Sequence, residues 1–460
     1  MSEAARRRQF QAPKGTRDLY PEDVLRRRYL LETLRRVATL HGFEEVDGPT
    51  FEELELYTVK SGEGIVSELF SFTRAGGEDT YALRPEFTPT GARLFAARAR
   101  QLPQPTKWFQ IGPRFRAERP QRGRLREFIQ WDCDVYNDEG TPEARARADA
   151  ELVAVCVDAL RALGLTENDC TVRVSNRGTL ASILTEIGVP EANVERAMVV
   201  LDRRAKQRPE EFAAAAREVG LDPAAFDAAA ASYAGDAASR LFAERAEALG
   251  VSGWIRQDFS IVRGLAYYTG MVFEVIAEGE RAVAGGGRYD KLVHLLGGPE
   301  ANAVGFAMGD VVVSLLLEDK GLMPEGLELR EAAAVVPASP RPDVFVVSAD
   351  EALGDPLIDP LVAKLRRGIE AEGASNARPW SRGRYAVPPL HARRSSKSTR
   401  NLGKLLADAE RQGARFAAVV HRDEVVQLKD LDRREDLGDF HVSERTSEYV
   451  GRIVVERLKR

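Results

Sequence analysis

Leu25, Tyr29, Leu30, Leu34, Val37 and Leu40 recur at the spacing of one helix face. Pro21 opens that stretch, Glu22 and Asp23 sit at the positive end of its dipole, and His41-Gly42 closes it. Residues 43–47 read as a short strand broken by Pro49. Residues 71–73 and 81–84 flank Gly76-Gly77 as a hairpin. Residues 108–111 and 128–136 read as strands on either side of a polar, basic segment at 118–126. From 178 to 248 alanine and charge dominate, and the pattern is helical and weakly amphipathic. Strand-like sequence resumes at Phe259 and runs to Phe306, followed by a helix over 311–318. Pro337, Pro340 and Pro342 mark a linker at 329–342. Beyond it, strand (344–347), helix (360–372), helix (401–412) and strand (416–420) follow one another. No period repeats along the chain.

The pattern predicts an α+β protein. A mostly antiparallel sheet flanked by helices occupies 1–177 and 249–328, a helical insertion occupies 178–248, and a small α/β domain occupies 343–460.

At 460 residues the chain has room for several domains, and 44% hydrophobic with 30% charged residues is a folding composition. A net charge of −5 excludes a globally basic nucleic-acid coat but leaves room for a local basic patch. Cys133, Cys156 and Cys170 make no disulfide framework and no CxxC spacing, and the five histidines make no HExxH. No metal site is expected from these residues. No stretch is apolar enough to span a membrane. The first ten residues hold Arg6, Arg7 and Arg8 without an apolar core, so no secretory signal is expected. A cytoplasmic protein is the expectation.

Five segments carry candidate chemistry. In Phe115-Arg116-Ala117-Glu118-Arg119, with Phe128 after the basic loop, a guanidinium can fork onto a phosphate and an aromatic ring can stack on a base. The plainer alternative is a charged hairpin with one packed Phe. In Arg84-Pro85-Glu86-Phe87-Thr88, Glu86 and Thr88 can hold an ammonium, or Glu86 can be an ordinary first-turn acid. Arg263-Gly264-Leu265-Ala266-Tyr267-Tyr268-Thr269-Gly270 suggests close backbone approach to a ligand, or two faces of one strand. Gly285-Gly286-Gly287-Arg288-Tyr289-Asp290 permits ligand contact or a mere turn, and it is not a Walker loop. Between Arg378 and Lys404 stand eight Lys or Arg and no Asp or Glu: Arg378, Arg382, Arg384, Arg393, Arg394, Lys397, Arg400 and Lys404. With Trp380, Tyr385 and His391 interleaved, this tract suits RNA, or it is a solvated basic loop.

Together and in this order the segments resemble the histidyl-tRNA synthetases, a family of class II aminoacyl-tRNA synthetases. Pro13-Lys14-Gly15-Thr16-Arg17-Asp18 matches the family's N-terminal signature, and Gly42-Phe43 to Pro49-Thr50-Phe51-Glu52 resembles motif 1, the dimer segment. Residues 115–128 resemble motif 2. The Arg263 and Gly286 segments resemble the two histidine-specific signatures. The resemblance implies ATP-dependent activation of L-histidine, with Mg²⁺, and its transfer to tRNA(His) by a homodimer. By position it implies Arg116 and Arg263 as the catalytic arginines on the α-phosphate. It places Glu118 and Phe128 on adenine, and Glu86, Thr88 and Gln130 on the α-amino group. Asp134 and Tyr268 fall to the imidazole, with Tyr267 and Thr269 beside them. For tRNA it implies Arg378, Arg382, Arg393, Arg394, Lys397 and Arg400.

Two departures stand out. The arginine that ends motif 3 and clamps the γ-phosphate is Val312 here, and the acid of the first histidine signature is Ala266. The paired loss resembles a variant branch found in plant organelles and some bacteria. Arg119 is the expected replacement for the clamp. Asp134 also stands where many relatives carry Glu. The missing arginine favours one alternative, a non-catalytic paralogue that regulates a histidine-biosynthetic phosphoribosyltransferase. Arg263, the tyrosines and the C-terminal domain disfavour it. A plain RNA-binding module would leave the Gly-rich and Arg–Glu segments idle.

Overall fold

The structure, a computed structural model, describes residues 10–61, 63–204, 207–263, 267–277, 282–333, 339, 341–348, 350–374, 383–397, 399–421, 425–443 and 445–458. Its centre is an eight-stranded sheet in the order Glu44–Glu45, Thr106–Phe115, Glu127–Asn137, Asn302–Gly309, Ala282–Arg288, Met271–Ala277, Cys170–Asn176, Ile255–Gln257. The two outermost pairings are parallel and the rest are antiparallel. Each inner strand contributes alternate residues to each face. One face packs the helices Pro21–Leu40, Pro142–Ala162 and Asp310–Asp319 through Leu34, Val153, Val157, Phe273 and Leu317. The other face is left to the candidate site. A separate three-stranded sheet, Phe51–Glu53, Thr80–Leu83 and Ser71–Thr73, stands beside it.

Within 178–248, four helices from Arg177–Glu186 to Pro223–Ser232 enclose a core of their own around Leu180, Leu201, Phe212 and Phe226. The last helix, Ala237–Ala248, packs against Pro142–Ala162, and its Ala246 is buried in the main core. The helix Gly326–Ala332 likewise reaches into the stretch expected to be a linker, because Leu329, Ala332 and Ala333 bury in that core.

The C-terminal unit is a five-stranded mixed sheet in the order Ala392–Arg394, Val344–Ser348, Phe416–Val420, Val425–Asp430, Glu435–His441. Its first helix runs Glu351–Arg367, starting earlier than the sequence suggested and carrying Pro356 and Pro360 inside it. The final hairpin and the helix Thr446–Leu458 were not read from sequence at all.

Charged side chains hold this unit to the one built on the large sheet. Helix Pro142–Ala162 supplies the acids: Glu151 pairs with Lys107 (2.6 Å) and Arg366 (3.1 Å), and Asp158 pairs with Arg367 (2.8 Å). His41, 2% exposed, lies between Asp158 on Nε2 (3.1 Å) and Arg366 on Nδ1 (3.2 Å). Burial and the adjacent Arg366 push its pKa down to about 4, so the ring is neutral, with Nδ1 accepting from the guanidinium.

Candidate active site

Four neighbouring strands bring separate stretches of chain to one face of the large sheet. A cavity of about 470 Å³ opens there, and Arg116, Phe128, Gln130, Arg263, Glu274 and Val312 all line it. Arg116 and Arg263 therefore share one cavity although they lie far apart in sequence. The Arg116 guanidinium lies over the Phe128 ring, 5.1 Å from its centroid, and its Nε donates to the Pro85 carbonyl at 3.2 Å. Arg263 has a left-handed backbone (φ 53°), a conformation few side chains adopt. Its Nη1 donates to the Phe273 carbonyl at 3.2 Å, and Nε stands 3.7 Å from Glu274 Oε1. Gly285 makes the room: a Cβ there would lie 1.2 Å from Arg263 Nη1. The glycine run thus admits the arginine, and Gly285 itself lines the cavity.

On strand Glu127–Asn137, Gln130, Asp132 and Asp134 alternate onto one face. Asp134 is 4% exposed and accepts from the Tyr289 hydroxyl. Gly305 lies opposite it in register, and a Cβ there would sit 2.0 Å from Asp134 Oδ1. Burial pushes the Asp134 carboxyl up to about 8. Tyr267 donates to Glu86 at 2.5 Å, and Thr88 donates to the Tyr267 oxygen. Burial raises the Glu86 carboxyl as well, against the pull of Tyr267 and Arg116. The rings of Tyr267 and Tyr268 meet at 5.0 Å, and those of Tyr267 and Tyr289 at 6.1 Å. Burial pushes the Tyr268 hydroxyl up to about 12, so it stays a donor at neutral pH.

Beneath the site runs a buried polar network that sequence reasoning missed. Gln130 donates to Asp132 at 2.8 Å, and Asp132 accepts from Arg114, which also donates to Gln110. Gln110 and Arg84 both donate to Asp47, at 2.9 and 3.1 Å, and Arg84 donates to the carbonyls of Gly48 and Pro113. The motif 1 segment is thus wired to the floor of the cavity. A lone Arg114 in a strand was the available signal.

Several expectations change. Glu118 is held by Arg124 and does not line the cavity, whereas Arg124 does. Arg119 is exposed and is not part of the lining. Thr269 faces away: its amide donates to the Arg288 carbonyl at 2.7 Å, and its Oγ1 accepts from the Asp290 amide. Asp310, in the motif 3 segment, is clamped by Arg17 of the N-terminal signature at 2.7 Å and accepts from the Ile129 amide. In the basic tract, Arg393 stands 3.5 Å from Glu44, Arg394 pairs with Asp359, and Lys397 lies 3.5 Å from Asp408. The neutralising acids come from elsewhere in the chain, so these cations are no free patch. They line a cleft of about 840 Å³ between the two units. Arg400 is half-buried. Arg378, Arg382, Trp380 and Gly264-Leu265-Ala266 lie outside the described residues.

A profile described as histidyl-tRNA synthetase matches residues 15–310. A histidine–tRNA ligase of Opitutus terrae is 40% identical over 351 residues, covering 71% of this chain and 79% of the relative. The chloroplastic/mitochondrial histidine–tRNA ligase of Arabidopsis thaliana is 39% identical over 334 residues, covering 68% of this chain and 67% of its own. Among solved structures, a histidyl-tRNA synthetase from Nostoc sp. PCC 7120 superposes with a TM-score of 0.54 at 22% identity, covering 97% of this chain and 99% of that one. At that identity the likeness is one of fold.

Proposed function

This chain belongs to the histidyl-tRNA synthetase family, and from that premise we propose how its residues divide the work of joining L-histidine to tRNA(His). The enzyme is a histidine–tRNA ligase that uses ATP. The histidine carboxylate attacks the α-phosphorus, the bond to the bridging oxygen breaks, and pyrophosphate leaves. A ribose hydroxyl at the 3′ end of the tRNA then attacks the adenylate carbonyl, and AMP leaves. Neither step needs a covalent enzyme intermediate. Both need positioning and fixed positive charge.

Arg116 and Arg263 supply that charge, and their sharing of one cavity is the observation that supports the assignment. Phe128 stacks on adenine, with Val312 in the same cavity where a motif 3 arginine would stand. Arg124 takes the place first given to Arg119, because it lines the cavity with its charge already shared by Glu118. Mg²⁺ carried by the nucleotide's own phosphates would supply further positive charge there. Among the described residues no group of three or more His, Cys, Asp or Glu is gathered for a metal. Glu274 is the carboxylate the cavity offers to an ion held mainly by phosphates.

Neutral imidazole has one N–H and one bare nitrogen, and a selective pocket meets both. Asp134 accepts from the ring N–H and the Tyr268 hydroxyl meets the other nitrogen. Tyr289 orients the Asp134 carboxyl. Glu86 and Thr88, already joined through Tyr267, hold the ammonium together with Gln130.

The chain works as a homodimer in the cytoplasm. The exposed Phe51 and Phe72 cluster with the half-buried Tyr81 on the small sheet, with ring centroids 5.6–5.8 Å apart, and Phe51 lies in motif 1. That is the apolar patch a partner copy would cover. Residues 178–248 clasp the acceptor stem and residues 343–460 read the anticodon. No helix among the described residues is long and apolar enough to cross a membrane. The regulatory alternative is not favoured, because the relatives covered over most of their length are named ligases.

The test is histidine-dependent ATP–pyrophosphate exchange followed by charging of tRNA(His). Both should proceed, and Arg116→Ala should slow exchange about 100-fold or more. Exchange that ignores histidine, or that survives Arg116→Ala, would refute the assignment.

A further inference from the structure

The helix Pro21–Leu40 and the C-terminal unit enclose a cavity of about 330 Å³ at the seam between the two units, away from the active site. Thr33, Arg36 and Leu40 line it from one face of that helix, at three- and four-residue spacing. The C-terminal unit contributes Glu370 and Tyr385, which pair in register across the short strands Ile369–Glu370 and Tyr385–Val387. The volume lies at the low end of the range of small-molecule sites, about 300–1,000 Å³.

Five arginines line this cavity, and four of them have acid partners. Arg366 pairs with Glu151 at 3.1 Å, and Arg384 with Glu370 at 2.6 Å. Arg161 and Arg367 share Asp158, at 3.0 and 2.8 Å. Arg36 differs. Among the described residues no carboxylate pairs with its guanidinium and no oxygen accepts a hydrogen bond from it. Glu32, one turn before it, is taken by Arg35 at 2.7 Å. Burial lowers the Arg36 pKa, and the group that opposes this is the Tyr385 phenol in the same wall, not an acid. Arginine nevertheless stays ionised in proteins. His41, also in the wall, is neutral and offers no counter-charge.

A charge removed from water without a counter-charge is costly, and an anion in the cavity would relieve that cost. Arg36 presents one uncompensated charge, so a monoanion balances it and a dianion would leave an excess. Its planar fork matches the two oxygens of a carboxylate. The rings of Tyr29 and Tyr385, with Leu40 and Pro389, offer apolar and aromatic contact to the body of such a ligand. We propose that this cavity binds a small aromatic monocarboxylate, its two oxygens forked by Arg36, and that the bound ligand ties the C-terminal unit to the helix Pro21–Leu40. The ligand contacts both units only when they are docked, so its binding favours the docked arrangement.

Benzoate is the probe. Calorimetric titration of the full chain should show saturable binding, and benzamide, of the same shape but uncharged, should bind about tenfold or more weakly. Arg36→Gln should weaken benzoate by about tenfold or more. Arg36→Lys keeps the charge without the fork and should fall between the two. The melting temperature of Arg36→Gln should not fall, because the native side chain has no partner to lose, whereas an arginine with a purely structural role would lower it. Saturating benzoate should slow protease nicking near the linker about threefold or more in the native protein and not in Arg36→Gln. Absence of saturable binding overturns the proposal, and so does benzamide that binds as well as benzoate. Benzoate held instead by the arginines of the active site would survive Arg36→Gln, and that result overturns it too. Binding that leaves the nicking rate unchanged overturns the tie between the units. Aminoacylation enters none of these measurements, so their failure is distinct from failure of the catalytic reading.

Discussion

Arg114 and Asp132 meet at 2.6 Å, with side chains 0% and 2% exposed. The pair stands one hydrogen bond from Gln130 and, through Gln110, two from Asp47. Arg114→Met strands a buried carboxylate and should cost about 3–5 kcal/mol of stability. Adding Asp132→Leu should restore most of that, because an apolar pair of similar volume tolerates the same burial. The histidine KM should stay raised in the double variant, since Gln130 has lost its anchor. Chemical denaturation and exchange kinetics, measured side by side, separate the two effects.

Gly285→Ala should displace Arg263 without unfolding the sheet. The added methyl would lie 1.2 Å from Nη1, the movable end of a side chain. The expected result is a fall of about 100-fold or more in the exchange kcat with an unchanged melting temperature. Near-normal kcat would show that Arg263 reaches the phosphate from elsewhere.

Asp134 makes stability depend on pH. Unfolded, its carboxyl ionises near the ordinary value of 3.8, while folded it holds its proton to about 8. The native state therefore binds more protons between those limits, and stability falls as pH rises through them. In Asp134→Asn that slope should flatten. Melting temperatures of both proteins from pH 5 to 8 give the answer, and parallel curves would refute it.

His41 acts in the opposite sense. Its pKa is about 4 in the fold against 6.5 as a model imidazole, so acidification favours the unfolded or undocked chain. Between pH 7 and pH 5 this group should cost about 2 kcal/mol at the seam between the two units. Protease nicking near the linker should rise over that range in the native protein and stay level in His41→Asn.

Phe51→Glu with Phe72→Glu should separate the proposed dimer. Both rings are more than two-fifths exposed in the single chain, at 47% and 43%. Losing two aromatic anchors should weaken association about 100-fold or more, by sedimentation. A dimer unchanged in such a variant would place the interface elsewhere.

Much of the molecule was legible because its signals are local. The helix Pro21–Leu40 carries its own start, period and stop, and the hairpin around Gly76-Gly77 carries its own turn. Arg116, Phe128 and Arg263 were found because they sit in quotable segments, and their convergence follows from strands that pair across long gaps. What sequence hid was partnership at a distance. Tyr289 lies inside a quoted motif, yet its bond to Asp134 joins residues 155 positions apart. The tract around Arg393 looked unbalanced because Glu44 and Asp359 lie outside the window in which charges were counted. The helix Glu351–Arg367 starts earlier than the sequence predicts, because two prolines, Pro356 and Pro360, stand in its interior.

Helix Pro142–Ala162 has a consequence of its own. Asp149 near its start grips the Arg288 that precedes Tyr289, while Glu151 and Asp158 grip the arginines of the C-terminal unit. The helix is a keel to which both ends of the molecule are bolted. The strand end beside Tyr289 and the C-terminal unit are therefore moored to one and the same helix.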